Sequence, residues 1–393
     1  MMRRFVTVFA VVILAGAWFY SGNRTAAEYT PHLTQAMPQA AGFDRVGGSP
    51  PTFKAKDDKN RDMGYVVFGE ANGYGGPLKV AVAVDLSGRI LQTAIVENKE
   101  TPAYLSAVLR HKFLEKFEGK GVGAPFELGE DLDGVSGATV SSLAVAEAVR
   151  KASHDVGRRQ FNLDIREKRE NWRIGLPETV VILLYLVAIV SVFVWKKPNV
   201  RNYVILAGII ILGFWLNRPV SLPYISSALL GYFPSCRQNL LWYVILFGAV
   251  VPALFSGRNI YCYWLCPFGG LQELANRVSG VKYGANGAEN KLRVARNLLL
   301  WFGLLMVFLY RNPALGNYEP FAAIFGFKGT GLAWLLLSVV LAASVFRFRF
   351  WCSYFCPVGA ALDICARVSR DVKGLFGKGR REEIKEVPAG SAD

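Results

Sequence analysis

Six cysteines occur in the 393 residues, and four of them repeat one spacing. Cys262 and Cys266 lie in Tyr261-Cys-Tyr-Trp-Leu-Cys-Pro267, and Cys352 and Cys356 lie in Trp351-Cys-Ser-Tyr-Phe-Cys-Pro357. A spacing of four puts both thiols of a pair on one face of a helical turn. The proline next in sequence is expected to end the hydrogen bonding locally and free the loop to wrap a ligand. Paired thiolates at this spacing suit an iron–sulfur cluster, and two pairs complete a shell of four cysteines. One pair alone reads equally well as small buried residues at a helix end. Two copies, each followed by Pro, favour ligands. Cys365 falls opposite Ala275 in the second copy and is expected to pack; Cys236, a lone thiol in Phe233-Pro-Ser-Cys236, is expected to be buried or else functional, burial being favoured.

A second constellation is Asp133-Gly-Val-Ser136-Gly137-Ala138-Thr139-Val-Ser141-Ser142, where a loop turns into a helix. Small residues let backbone N–H groups approach a ligand, and a helix N-terminus adds free donors and a positive dipole end, which together suit a phosphate. By itself the stretch also reads as a Ser/Thr cap with glycines for the turn. Absences narrow the chemistry. The only histidines, His32, His111 and His154, precede the apolar half of the chain, which excludes a bis-His haem between its helices. No dinucleotide glycine fingerprint or P-loop is present.

These groups need elements to hold them. The chain is 52% hydrophobic and 19% charged, with a net charge of +15. From Ser21 to Pro177 basic and acidic residues nearly balance, so the excess lies in the later, apolar part, and a membrane explains it better than a nucleic acid. Apolar runs cover Phe5–Tyr20, Thr179–Trp195, Asn202–Asn217, Leu240–Phe255, Asn297–Tyr310 and Leu332–Phe346. Threaded from a cytoplasmic N-terminus, they leave only Arg218, Arg237, Arg311 and Lys328 of the later basic residues outside. Both cysteine pairs then face the cytoplasm, at a constant offset of 90 residues that marks an internal repeat. A disulfide is a poor alternative in that reducing compartment. The outer segment opens with a Pro/Gly/Ala-rich stretch, Thr30–Pro51, expected as an extended linker. Strand-like runs come next at Gly64–Phe68, Leu78–Val84 and Ile90–Val96, then helical patterns at Tyr104–Phe117 and Val140–Val156. The charged run Arg166–Arg173 reads as a connector to the membrane.

The expected architecture is a polytopic α-helical membrane protein of about six spans with an extracytoplasmic α+β domain. Residues 1–20 form an anchor or signal, 21–63 a linker, 64–177 the outer domain, 178–370 a five-helix membrane domain with the cysteine repeats, and 371–393 a basic cytoplasmic tail.

The stretch from Asp133 to Ser142, with Gly73-Tyr-Gly-Gly-Pro-Leu-Lys-Val and Glu97-Asn-Lys-Glu-Thr-Pro102, resembles the FMN-binding domain of NosR/NirI membrane proteins and of flavoprotein subunits of the Rnf and sodium-pumping NADH:quinone reductase complexes. The resemblance implies FMN joined through a phosphoester to Thr139. It implies a phosphate lined by Ser136, Gly137, Ala138, Ser141 and Ser142, with Asp133 positioning the loop or a metal used in attachment, and Glu100 and Thr101 near the flavin ring. A flavin transferase would attach the cofactor. The cysteine pairs resemble the C-x-x-x-C-P elements of the same family. Long members end in a ferredoxin domain, whereas no further cysteine comes after Cys365 here, so the short form is expected, similar to the membrane flavoprotein associated with reductive dehalogenases. The implied function is transmembrane electron transfer from quinol or a cytoplasmic donor, through the cysteine centre, to FMN and an extracytoplasmic reductase or its maturation factor. Two other classes remain open at this point: a membrane redox sensor, and a metal-handling accessory.

Overall fold

A computed structural model of the chain describes residues 2–22, 29–48, 51–73, 75–100, 102–165, 172, 174–195, 198–237, 239–279, 288–327 and 329–385. It divides into two compact units. The first comprises Met1–Arg173, Leu222–Asn239 and Phe302–Tyr318, and the second Ile174–Ser221, Leu240–Trp301 and Glu319–Asp393.

The first unit is built on five strands: β1 (Gly42–Gly47), β2 (Thr52–Lys56), β3 (Asp62–Asn72), β4 (Pro77–Asp85) and β5 (Ile90–Asn98). They pair antiparallel in sequence order. Side chains alternate between the faces of a strand, and β4 uses both faces. Leu78, Val80, Val82 and Val84 enter one core, while Ala81 and Ala83 enter the other. Each buried valine contributes about 1.5–3 kcal/mol relative to exposure. The larger core is covered by the helix Thr139–Gln160, through Ala144, Val145, Ala148, Val149, Ala152 and Val156.

The smaller core corrects the linker expectation. Thr30–Ala36 is a helix and β1 a strand inside the stretch expected to be extended, and β2 comes after them, still within the expected 21–63 linker. Leu33, Met37 and Ala40 are buried on the alanine face of the sheet, with Tyr29, Phe43 and Phe53 against them. A sheet must cover both apolar faces, and these residues cover the second. The helical pattern expected over Tyr104–Phe117 breaks at Lys112, which takes a left-handed φ of 50°. It becomes a helix over Pro102–Arg110 and a 3-10 turn over Phe113–Phe117. Thr101 and, apart from Trp172, the Arg166–Arg173 run lie outside the described residues.

Each of the six apolar runs falls on a helix. Among the described residues one, Leu176–Val194, is long and apolar enough to cross a membrane, with 19 residues of mean hydropathy 2.3. Phe9–Ser21, Asn199–Trp215, Leu240–Ser256, Val294–Tyr310 and Gly331–Phe346 are shorter apolar helices. Large apolar side chains such as Leu183, Leu186, Phe247, Leu335 and Val339 are exposed on them.

In the second unit, helix α1 (Leu240–Ser256) precedes the first cysteine pair and α2 (Pro267–Ser279) comes after it. Helix α3 (Gly331–Phe346) precedes the second pair and α4 (Pro357–Lys385) comes after it. Helix α4 thus takes in residues 371–385 of the expected tail, and residues 386–393 lie outside the described residues. The packing is reciprocal: α4 lies on α1, and α2 lies on α3. Each copy's second helix therefore docks on the other copy's first, as a two-fold relation between the copies requires.

Candidate functional site

The cysteine loops repeat in detail as well as in sequence. Tyr261–Leu265 is a π-helical turn and Phe350–Tyr354 an α-helical one. Both close on the same bond: Cys266 N–H donates to Tyr261 O at 2.8 Å, and Cys356 N–H to Trp351 O at 2.9 Å. The prolines do not loosen the next segment, contrary to the sequence expectation. Pro267 and Pro357 are the first residues of α2 and α4, where a missing N–H costs nothing and the fixed φ suits the helix. Cys266 and Cys356 consequently sit at helix N-termini, and their Sγ atoms accept from Gly269 N–H at 3.5 Å and Gly359 N–H at 3.3 Å. Such donors favour thiolate over thiol.

All four cysteines line one cavity of about 360 Å³. Bonds from one copy to the other close it. Gln272 Nε2 donates to Cys352 Sγ at 3.2 Å, and Arg349 Nη1 donates to Cys262 O at 2.7 Å. Asn259 Nδ2 donates to Asp363 Oδ1 at 2.9 Å while its own Oδ1 accepts from Cys262 N–H at 3.1 Å. Burial, reinforced by the neighbouring thiol Cys352, pushes Cys266 up to about 12. Burial likewise raises Cys262, Cys352 and Cys356. Burial thus favours the protonated thiols, and a metal must displace those protons on binding.

Two carboxylates at the same register of the repeat, Glu273 and Asp363, organise the cations around this cavity. Glu273 is 3% exposed and pairs with Arg201 at 2.7 Å, Arg277 at 2.6 Å and Arg349 at 2.9 Å. Burial works to raise its carboxyl, but the hydrogen bond from Arg201, the charge of Arg349 and the bond from Arg277 outweigh it and hold it at about 2. Asp363 pairs with Arg296 at 2.8 Å, and Arg296 Nη1 donates to Cys352 O at 3.0 Å. Each carboxylate thus holds an arginine against the carbonyl of a first cysteine.

The fit of these residues to an iron–sulfur cluster rests on two observations. First, the four thiols share one cavity of about 360 Å³. A cluster spreads its four ligands over separate irons, as a shared cavity allows. Second, Arg349 and Arg296 line the cavity with the four thiols. Two cations on its wall fit an anionic guest.

The first unit brings part of the expected flavin site together. Thr139 opens its helix and is exposed, as are Ser136, Gly137 and Asp133. The residue before it, Ala138, makes no side-chain cap, and the first turn holds no acidic residue, so the helix N-terminus is free for an anion. Gly137 has φ +72°, a conformation that a side chain disfavours. Ser141 and Ser142, expected along the phosphate, are buried beneath the loop instead. Ser142 Oγ accepts from Val135 N–H at 3.2 Å, bracing the turn from inside. Ser141 Oγ donates to the buried carboxylate of Glu100, whose other oxygen accepts from Gly75 N–H at 3.1 Å. A Cβ on Gly73 would collide with Glu100 Oε1. Glu100 therefore ties the Gly73–Gly76 turn to the Thr139 helix.

Sequence reasoning missed Gln272, Glu273, Asn259, Arg296, Arg349 and Asp363. The signal was there for the carboxylates, which stand seven residues after the second cysteine in both copies. The arginines read from sequence only as flanking charge. Cys365 does not line the cavity, as expected of a packing residue. Cys236 is exposed, against expectation, because Pro234 is the residue of that turn which packs inward.

Comparison with known proteins agrees with both halves. Residues 73–154 match the family model of the FMN-binding domain. Residues 238–286 and 329–378, one per repeat, match the 4Fe-4S binding domain. Protein NirI of Paracoccus denitrificans is 29% identical over 51% of this chain and 33% of its own length. Regulatory protein NosR of Pseudomonas aeruginosa is 25% identical over 51% of this chain and 30% of its own. A component of the proton-translocating ferredoxin:NAD(+) oxidoreductase complex of Clostridium ljungdahlii is 27% identical over 38% of this chain and 86% of its own. The chain spans about a third of the length of NirI and NosR.

Proposed function

We propose that this NosR/NirI-type protein carries electrons through the cytoplasmic membrane, from an iron–sulfur cluster held by Cys262, Cys266, Cys352 and Cys356 on the inner side to an FMN joined to Thr139 on the outer side. The observation that carries the reading is the pairing of an FMN-binding match with two 4Fe-4S matches whose four cysteines line one cavity. Bound there, the cluster and flavin supply the redox chemistry, and the chain's residues hold, orient and insulate them. The free helix N-terminus at Thr139 would take the FMN phosphate, with Ser136, Gly137 and Ala138 around it. Glu100, Ser141 and Ser142 keep the loop in place for a flavin transferase to act on Thr139.

Support for the sidedness comes from the apolar helices, the distribution of basic residues and the composition of the first unit. Besides the flavin domain, that unit takes in Leu222–Asn239 and Phe302–Tyr318, which include the loops expected outside. The hydrocarbon core is about 30 Å thick, too far for one efficient hop, so a quinone or a further carrier acts between the two centres. The donor is quinol or a cytoplasmic protein, and the acceptor an extracytoplasmic reductase or its maturation factor.

The test is anaerobic purification of the full chain. One covalent flavin per chain, iron with acid-labile sulfide and a broad absorption in the visible blue support the reading; zinc or copper in place of iron sinks it. One observation favours a second reading, the likeness to NosR, a regulatory protein by name. A redox sensor would hold the same cofactors without turnover, so sustained quinol oxidation with an outer acceptor separates the two.

A further inference from the structure

We infer that Arg296 and Arg349 set the reduction potential of the cysteine-held centre, each by placing a fixed positive charge on the wall of its cavity. This rests on the iron–sulfur reading above.

The two arginines come from different elements but end in equivalent positions. Arg349 spends its terminal nitrogens on Cys262 O at 2.7 Å, Tyr263 O at 3.4 Å and Glu273 at 2.9 Å. Arg296 spends its own on Cys352 O at 3.0 Å and Asp363 at 2.8 Å. Both side chains line the cavity with the four thiols, each fixed between a cysteine carbonyl and a carboxylate. Two cations at equivalent places in one cavity point to an anionic guest. Arg349 also adopts a left-handed φ of 52°, a backbone strain kept at the position that delivers its guanidinium.

Charge points the same way. Arg201, Arg277, Arg296 and Arg349 face Glu273 and Asp363, so this set of four cations and two carboxylates is net cationic. A cluster with four thiolates is net anionic and becomes more so when it takes up one electron. Fixed cations beside it therefore favour the reduced form. The asparagine of the first copy at the register of Arg349, Asn259, carries no charge, so Arg296 comes in from a separate helix to complete the pair.

The experiment is a redox titration of the cluster by electron paramagnetic resonance, on the full chain purified anaerobically. Arg296→Gln and Arg349→Gln are expected to lower the midpoint and shift the oxidised-to-reduced ratio about tenfold, which is about 59 mV for one electron. Arg296→Lys and Arg349→Lys keep the charge and are expected to recover most of that shift. Asp363→Asn removes the carboxylate that offsets Arg296 and is expected to move the midpoint upward. A role limited to clamping the loops would lower iron per chain in all these variants and leave the potential of the remaining cluster unchanged, which overturns the inference. If the Gln variants bind no cluster, Asp363→Asn decides: an upward shift supports the inference, and no shift or a downward one refutes it. A wild-type protein without cluster signal would instead overturn the iron–sulfur reading itself.

Discussion

Replacing Gln272 by Leu removes the side chain that clasps the two copies while keeping its bulk. Gln272 is fully buried on α2, and its Oε1 accepts from Trp351 N–H at 2.8 Å and from Ser344 Oγ at 3.3 Å. Its Nε2 donates to Cys352 Sγ at 3.2 Å. Ser344 also donates to Val340 O at 2.7 Å and keeps that bond. Trp351, only 3% exposed, stands second in its helical turn, where an amide has no acceptor within the helix. A buried donor left unsatisfied costs about 1–3 kcal/mol. Taking about 2 kcal/mol, with about 1.4 kcal/mol per tenfold, the Cys352 loop opens about 30-fold more often. Native-state hydrogen exchange reads this as a loss of protection confined to the peptide around Trp351. Gln272→Glu retains the acceptor and should restore most of the protection. Wild-type exchange in Gln272→Leu refutes the clasp and, with it, the facing of the two loops.

Thr139→Ala is expected to abolish covalent flavin with iron content unchanged, read by in-gel fluorescence after denaturation; surviving fluorescence means another attachment residue. The carboxyl of Glu273, held at about 2 against an ordinary 4.5, stabilises the native state fully above about pH 4.5 and loses that contribution as pH falls toward 2. Thermal stability should accordingly be flat from neutral pH to about 5 with respect to this group, and Glu273→Gln should remove part of the loss below it. Reporter fusions at Asn317 and after Ser21 should be active outside, and a fusion at Lys291 inside; activity outside at Lys291 breaks the topology.

Both motifs are legible in the sequence because each compresses its chemistry into a few contiguous residues. The cysteine repeat and the Ser136–Thr139 turn need no tertiary information to be noticed. The last three strands, β3 to β5, and the helix after Thr139 are equally legible from alternation and helical period. The features that depend on distant partners stay hidden. β1 sets Asp44 beside Arg45 between glycines and β2 is only five residues long, so neither carries a strong strand pattern, and their pairing into the sheet with β3 makes them strands. Ser141 reads as a phosphate ligand by proximity to Thr139, yet the helix turns it inward to Glu100. Gln272 and Arg349 lie 80 and 87 residues from the cysteines they touch, and no local pattern reports such bonds.

The central claim is that one shared cysteine centre feeds the outer flavin, and Cys352→Ser tests it most directly. Serine keeps the size but offers a harder, less acidic ligand. Iron per chain and the rate of FMN reduction by a quinol or cytoplasmic-side donor are measured in wild type, Cys352→Ser and Cys365→Ser. The account predicts that iron and donor-driven rate both fall in Cys352→Ser and hold in Cys365→Ser, while chemical reduction of FMN from outside is unchanged in all three. Full iron and full rate in Cys352→Ser would contradict it and leave the four cysteines as packing.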